Sequence, residues 1–269
     1  MRFLPVALSS VAASVLALTS VASAADIPAR PAYKAPAPVA AFYNWSGIYI
    51  GGHAGWGWGE SDVTNVNGTP PFPAGTQSSN DFDGFFGGVQ AGVNWQWSPN
   101  WVVGVEGDFS WSAIDGTSED PSTVPAFVGI RTTTTNNDID WLATVTGRIG
   151  YAMNTWLLYV KGGAAWAHFE SDSTTINPAT GALIATTVAS STRSGWTVGA
   201  GAEWALWQGW TAKAEYGYLD FGSDTINRTV TFDSIGTIPN PLIRDVDTHM
   251  HVVKFGINHR FNWGGPVAP

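Results

Sequence analysis

Residues 156–166 read WLLYVKGGAAW, an apolar run bracketed by Trp156 and Trp166 with Lys161 near its middle. A lysine buried among apolar groups carries a large desolvation cost. Such a run is stable only if Lys161 faces a different environment from its neighbours. Side chains alternate across a β-strand. With that period, Trp156, Leu158, Val160, Gly162, Ala164 and Trp166 share one face, and Tyr159, Lys161, Gly163 and Ala165 share the other. One face is wholly apolar and capped by tryptophan at both ends; the other carries the charge.

The same phasing recurs along the chain. Trp101, Val103, Val105, Phe109 and Trp111 oppose Glu106 and Asp108, and Trp141, Ala143, Val145 and Ile149 oppose Arg148. Trp196, Val198, Ala200 and Trp204 oppose Glu203, while Trp210, Ala212, Ala214 and Tyr216 oppose Lys213 and Glu215. In the last such segment Val253, Phe255, Ile257 and Phe261 oppose Lys254 and Arg260. Mid-segment charge therefore always takes the phase opposite to tryptophan. If tryptophan faces lipid, then Glu106, Asp108, Arg148, Lys161, Glu203, Lys213, Glu215, Lys254 and Arg260 face a common interior and must form an ion-pair network there. His53 shares a phase with Tyr49 and is expected to join that interior. Inward glycines such as Gly150, Gly163, Gly199, Gly201, Gly217 and Gly256 leave room for long side chains.

Eight strands are expected, at about Gly47–Trp58, Phe82–Trp97, Trp101–Ser112, Ile139–Met153, Trp156–Glu170, Gly195–Leu206, Trp210–Phe221 and His249–Phe261. Their connections alternate. Ser98-Pro99-Asn100, Asn154-Thr155 and Trp207-Gln208-Gly209 are tight; the segments at about 59–81, 113–138, 171–194 and 222–248 are long and polar. This is the plan of an all-β, eight-stranded, antiparallel up-and-down transmembrane barrel with short periplasmic turns and four long extracellular loops. A soluble lipocalin-like barrel is the competing all-β reading.

The tryptophans mark two levels. Trp45, Trp95, Trp97, Trp101, Trp156, Trp204, Trp207, Trp210 and Trp263 fall at segment ends beside tight turns or chain ends, and Trp56, Trp58, Trp111, Trp141, Trp166 and Trp196 beside the long connections. Trp prefers the bilayer–water interface, where its ring is apolar and its N–H stays wet. Trp101, Trp111, Trp141, Trp156, Trp166, Trp196, Trp204 and Trp210 are the expected interfacial girdles. Ten residues of tilted strand, the spacing of Trp156 and Trp166, cover about 23–25 Å of membrane normal.

Composition excludes other classes. The 269 residues include 31 Gly and 15 Trp, with only 12% charged residues. A net charge of −9 disfavours nucleic acid as a partner. The absence of cysteine removes disulfides, thiolate metal sites and thiol nucleophiles. No G-x-S-x-G, P-loop or H-E-x-x-H motif occurs, so no enzyme activity and no cofactor is expected. The start reads as a cleaved signal peptide over residues 1–24, ending in Ala22-Ser23-Ala24. A Pro/Ala-rich periplasmic linker over 25–44, a barrel over 45–263 and a tail over 264–269 complete the organisation. Two histidines at i, i+2, His249 and His251, together with His168, are candidate metal or haem contacts at the loop-side interface. The acidic long connections are expected to lie against lipopolysaccharide.

The segments FYNWSGIYIGGHAGWGWG, GFFGGVQAGVNWQ, VVGVEGDFSWS, LATVTGRIGYA, LLYVKGGAAWA, TVGAGAEWAL, KAEYGYLDFG and VVKFGINHRFNW, in that order, resemble the alphaproteobacterial outer-membrane immunogenic proteins. These belong to the opacity-protein-like, porin-family barrels with eight strands. The resemblance implies a Gram-negative outer-membrane surface protein with structural, antigenic or envelope-integrity roles, and haemin binding is described for some relatives. It also implies that Phe255, Ile257 and Phe261 act as the C-terminal signal read by the barrel-assembly machinery, although this chain continues NWGGPVAP beyond Phe261. A small diffusion channel and a haem- or ligand-binding receptor are the alternative functions.

Overall fold

Alternating β-branched, aromatic and glycine residues favour extended backbone, and pairing to a neighbour on both sides removes every edge. The computed structural model describes residues 43–67, 74–75, 77–124, 129–228, 231–232, 236–237 and 242–261. The expected signal peptide, most of the linker, Trp263 and the tail lie outside the described residues. Eight long strands, β1 (Gly47–Asn65), β2 (Gln77–Gln96), β3 (Trp101–Val124), β4 (Gly129–Met153), β5 (Trp156–Ile176), β6 (Leu183–Trp207), β7 (Trp210–Arg228) and β10 (Leu242–Phe261), form one antiparallel closed barrel. The ring order is β1-β10-β7-β6-β5-β4-β3-β2. Two-residue strands β8 (Thr231–Phe232) and β9 (Gly236–Thr237) pair separately in the last connection.

The turns are tight for local reasons. Met153 pairs with Trp156 around Asn154-Thr155, where Asn154 takes a left-handed φ of 55°, a conformation asparagine tolerates. Trp207 pairs with Trp210 around Gln208-Gly209, with Gly209 at φ 84°. In the third turn Ser98 Oγ accepts the Trp101 N–H at 3.2 Å.

At the other end the strands run far beyond their expected limits. β3 and β4 stay in register out to Val124 and Gly129, and β5 and β6 out to Ile176 and Leu183. The segments expected as long loops at 113–138 and 171–194 are therefore mostly strand. RTTTTNND, ESDSTTI and TTVASSTRS are rich in strand-forming Thr and Val. Beyond an apolar band of about 25 Å neither face of a strand meets lipid, so the period-two contrast that identifies a strand disappears while backbone pairing continues. Strands of 19 to 25 residues reach roughly twice the height of an apolar band of about 25 Å.

The interior is layered. Towards the loop end, Phe82, Phe86, Ile114, Ile139, Leu142, Leu219, Phe221, Met250 and Val252 form a buried apolar tier. At the turn end Trp45, Val102, Ala152, Leu157, Tyr159 and Ala205 form a second, with Tyr43 packed on it. Eight charged residues, Glu106, Asp108, Arg148, Lys161, Glu203, Lys213, Glu215 and Lys254, lie between the two. Trp45, grouped by sequence with the tryptophans that mark the turn-end level, is fully buried and not lipid-facing. Its backbone N–H donates to Gln96 Oε1 at 2.7 Å and its indole N–H to the Asn154 carbonyl at 3.0 Å. It precedes the barrel wall and folds under it, where strand alternation has no authority.

Leu157 is a direct probe of the turn-end tier. Leu157→Ala should lower the stability of the refolded barrel by about 2–4 kcal/mol through loss of buried apolar area and the cavity left behind. The urea midpoint of the heat-modifiable gel shift measures it.

Candidate functional site: the charged lumen

Six of the eight barrel strands deliver ionisable side chains to the middle tier. Glu106 and Asp108 come from β3, Arg148 from β4, Lys161 from β5, Glu203 from β6, Lys213 and Glu215 from β7, and Lys254 from β10. All eight are buried, Glu106 and Glu203 completely. Four acids meet four bases, so the tier is formally neutral.

Glu106 is the hub. Its carboxylate lies 2.9 Å from Lys161 Nζ, 2.9 Å from Lys213 Nζ and 3.7 Å from Arg148 Nη1, and accepts the Tyr49 hydroxyl at 2.8 Å. Glu215 lies 2.8 Å from Lys161, 3.0 Å from Lys213 and 3.5 Å from Lys254. Asp108 binds Lys254 at 3.0 Å and the Thr144 hydroxyl at 2.7 Å. Glu203 pairs with Arg148 at 3.3 Å and accepts from Thr211 and from Asn258. Every cation of the tier contacts at least two carboxylates, so no single pair carries the tier.

Lys213–Glu215 runs along β7 and Lys254–Glu215 joins cross-strand partners, whereas register explains why the pairs of Arg148 and Lys161 cross the lumen. Arg148 and Lys161 are direct cross-strand partners, an arrangement that repels. They are relieved because Arg148 turns towards Glu203 and Asn94 while Lys161 turns towards Glu106 and Glu215. Glycine makes the crossing sterically feasible. A Cβ at Gly104 would stand 2.4 Å from Asn94 Oδ1, which receives the Arg148 Nε–H, and 2.6 Å from the Val93 carbonyl. A Cβ at Gly256 would meet Gln90 Nε2 at 2.9 Å and Lys213 Cε at 3.2 Å.

By its phase Arg260 belongs to the same network, but the structure places it one level lower. Its guanidinium lies over the rings of Tyr43 (5.0 Å) and Trp45 (4.9 Å) and donates to the Asn44 carbonyl. The residues that join the tier without having been singled out are polar and mostly uncharged: Tyr49, Gln90, Asn94, Thr144, Tyr159, Thr211 and Asn258. Gln90 donates to Asn258 at 2.6 Å, and the Arg148 guanidinium sits over the Tyr49 and Tyr159 rings at 4.7 and 5.1 Å. The signal for Gln90 and Asn94 was the period-two pattern of β2, whose interior face carries no mid-strand charge to attract notice. His53 is buried with Nε2 2.7 Å from Ser110 Oγ, below the loop-end tier and edge-on to Phe86.

The model of the outer membrane protein beta-barrel domain matches residues 11–258. The chain belongs to that family. It is 32% identical over 266 residues to the 31 kDa outer-membrane immunogenic protein of Brucella melitensis, covering 94% of this chain and 99% of that one. It is 31% identical over 193 residues to a 22 kDa outer membrane protein of Rhizobium leguminosarum bv. viciae, covering 70% of this chain and 69% of that one. Among solved structures, the outer membrane protease OmpT of Escherichia coli superposes with a TM-score of 0.52 at 9% identity, over 83% of this chain and 99% of that one; this likeness concerns the barrel fold alone. The protein is an outer-membrane β-barrel of a Gram-negative bacterium.

On the wall of this family barrel, Trp156 and Trp204 are cross-strand partners with stacked rings at the turn end, alongside Trp101 and Trp210. Trp111 pairs with Trp141 at the loop end, where Trp166 and Trp196 also stand. Trp141 and Trp166 are half-buried, and the other six are exposed. Phe255, Ile257 and Phe261 all face outward on β10. The three histidines proposed as metal or haem contacts are not brought together, because β6 and β7 separate β5 from β10 in the ring. His249 Nε2 instead lies 3.2 Å from Glu60, and His251 Nδ1 is 2.7 Å from the Tyr216 hydroxyl with its ring stacked on Trp58. Spacing along one strand could not reveal these cross-strand partners.

Removing one charge from a neutral buried tier strands its partners. Glu106→Gln should cost about 3–5 kcal/mol, whereas Glu60→Gln at the exposed rim should cost no more than about 0.5 kcal/mol. Adding Lys213→Met to Glu106→Gln restores neutrality and should recover part of the loss. A double-mutant cycle on urea unfolding measures the coupling.

Proposed function

We propose that this protein is a non-enzymatic, closed outer-membrane barrel that contributes to envelope integrity and displays its loop-end strands and connections as surface antigen. The observation that carries this reading is the layering of the lumen. A neutral ion-pair tier is sandwiched between the loop-end tier around Phe86, Ile114, Met250 and Val252 and the turn-end tier around Trp45, Val102 and Leu157. A water path would have to cross two apolar layers, and an ion entering the middle tier would compete with charges already paired at about 3 Å. An eight-stranded barrel has an interior just wide enough for side chains.

In this reading the tight turns face the periplasm and the extended strands rise above the outer leaflet. The acidic loop end then lies against lipopolysaccharide, and the outward Phe255, Ile257 and Phe261 serve the assembly machinery. The names of the Brucella relatives as immunogenic outer-membrane proteins support the antigenic role. The filled lumen favours a structural barrel over the diffusion channel that was its alternative.

Single-channel recording of refolded protein in planar bilayers is the decisive test. The wild type is expected to give no steady openings. Steady openings in the wild type, enlarged by Lys161→Ala, would overturn the closed-lumen reading.

A further inference from the structure

Outside the lumen, strand register assembles an arrangement that the structural role does not require. Asp83, Asp115, Asp138 and Glu170 are successive cross-strand partners on β2, β3, β4 and β5. Their chain neighbours Phe82, Ile114, Ile139 and Phe169 turn inward to the loop-end apolar tier, so the four carboxylates line the outer wall. They stand just loop-side of Trp111, Trp141 and Trp166. Like charges directly opposite one another destabilise a sheet, and this row has three such steps in succession.

At one end of the row the register breaks. Between Ile139 and Trp141 the pairing of β4 with β5 shifts, and Asp140 is the extra residue. A bulge of this kind re-aims a side chain. Asp140 and Glu170 are exposed and His168 half-buried, and each offers one ligand atom, all within 4.8 Å of one another. The set is not a purely acidic patch, because an imidazole sits in it with its orientation fixed from outside. His168 Nδ1 lies 2.9 Å from Thr192 Oγ1 on β6. The ring also lies parallel to Trp141, with centroids 5.9 Å apart and 4° between planes. With Nδ1 engaged, Nε2 is the nitrogen available to a ligand, and such outer-shell anchoring of a histidine is typical of metal ligands.

We propose that Asp140, His168 and Glu170 form a divalent transition-metal site on the outer wall of the barrel, with Thr192 and Trp141 orienting the imidazole. One imidazole with two carboxylates suits a borderline dication such as zinc better than calcium or magnesium, which prefer all-oxygen shells. Three protein donors leave the fourth position of a tetrahedral ion to water. The carboxylate row on β2–β5 raises the local cation concentration and is itself relieved by the bound charge. The site is distinct from His249 and His251, which β6 and β7 separate from it in the ring and which have one nitrogen each engaged, by Glu60 and by Tyr216.

Zinc chloride titrated into the refolded full barrel in non-ionic detergent near neutral pH, followed by calorimetry, tests this directly. One zinc per barrel is expected, with affinity falling at least tenfold in His168→Ala and in Glu170→Gln, and roughly tenfold in Thr192→Val. The His249→Ala/His251→Ala double variant should bind as the wild type does, and calcium should bind more weakly and be indifferent to His168→Ala. Heat-modifiable gel migration shows that each variant is folded. Zinc uptake that survives both His168→Ala and Asp140→Asn in folded protein, or that is lost with His249 and His251 instead, would overturn the proposal.

Discussion

Glu106 sits fully buried near the axis of a barrel whose outside is lipid. A carboxylate there has neither water nor bulk counterions, so it stays charged only if the fold delivers cations to it. Lys161 and Lys213 both reach it at 2.9 Å, from β5 and β7, and Arg148 approaches from β4. Those three bases then need further acids, which Glu203, Glu215 and Asp108 supply from β6, β7 and β3. The network thus ties together strands that are not neighbours in the ring. A hydrogen-bonded wall alone would leave the cross-section free to shear; charges paired across the lumen oppose that distortion.

Two apolar tiers flank this arrangement, each lying between the charges and one end of the barrel. The tiers differ in origin. The loop-end tier is made by strand residues on the inward phase, whereas the turn-end tier is completed by Trp45 and Tyr43, which precede β1. Arg260, stacked on both rings, locks that preceding segment to the end of β10. On the outer wall, register shifts occur beside Trp111, Trp141 and His249. They fall where the sheet leaves the apolar band and the demand for strict in–out alternation ends.

Much of the site was legible from one rule, that mid-strand charge opposes tryptophan. The rule works because lipid accepts no charge, so a mid-strand charge has only the lumen to face. It assigned the eight charges now seen together in the middle tier, and it assigned Arg260 inward but at the wrong level, since phase carries no information on height or partner. It put Tyr49 and Asn258 on the inward phase without joining them to the network, and it missed Gln90 and Asn94, because β2 carries no mid-strand charge by which to phase it. It also ended the strands too early, because Thr- and Ser-rich segments beyond the membrane lose their amphipathic contrast while keeping their pairing.

The sequence by itself determined the class of the protein, the number of strands, the faces of β3 to β7 and β10, and the levels of the two aromatic girdles. Each of these follows from a local property: alternation, turn chemistry, or the preference of tryptophan for an interface. Only the tertiary structure decided that Lys161 meets Glu106 and Glu215, that Trp45 turns under the barrel, and that Asp140, His168 and Glu170 converge on the outer wall. Those contacts join residues from different strands, and their distances are set by register and closure of the ring, which no single strand encodes.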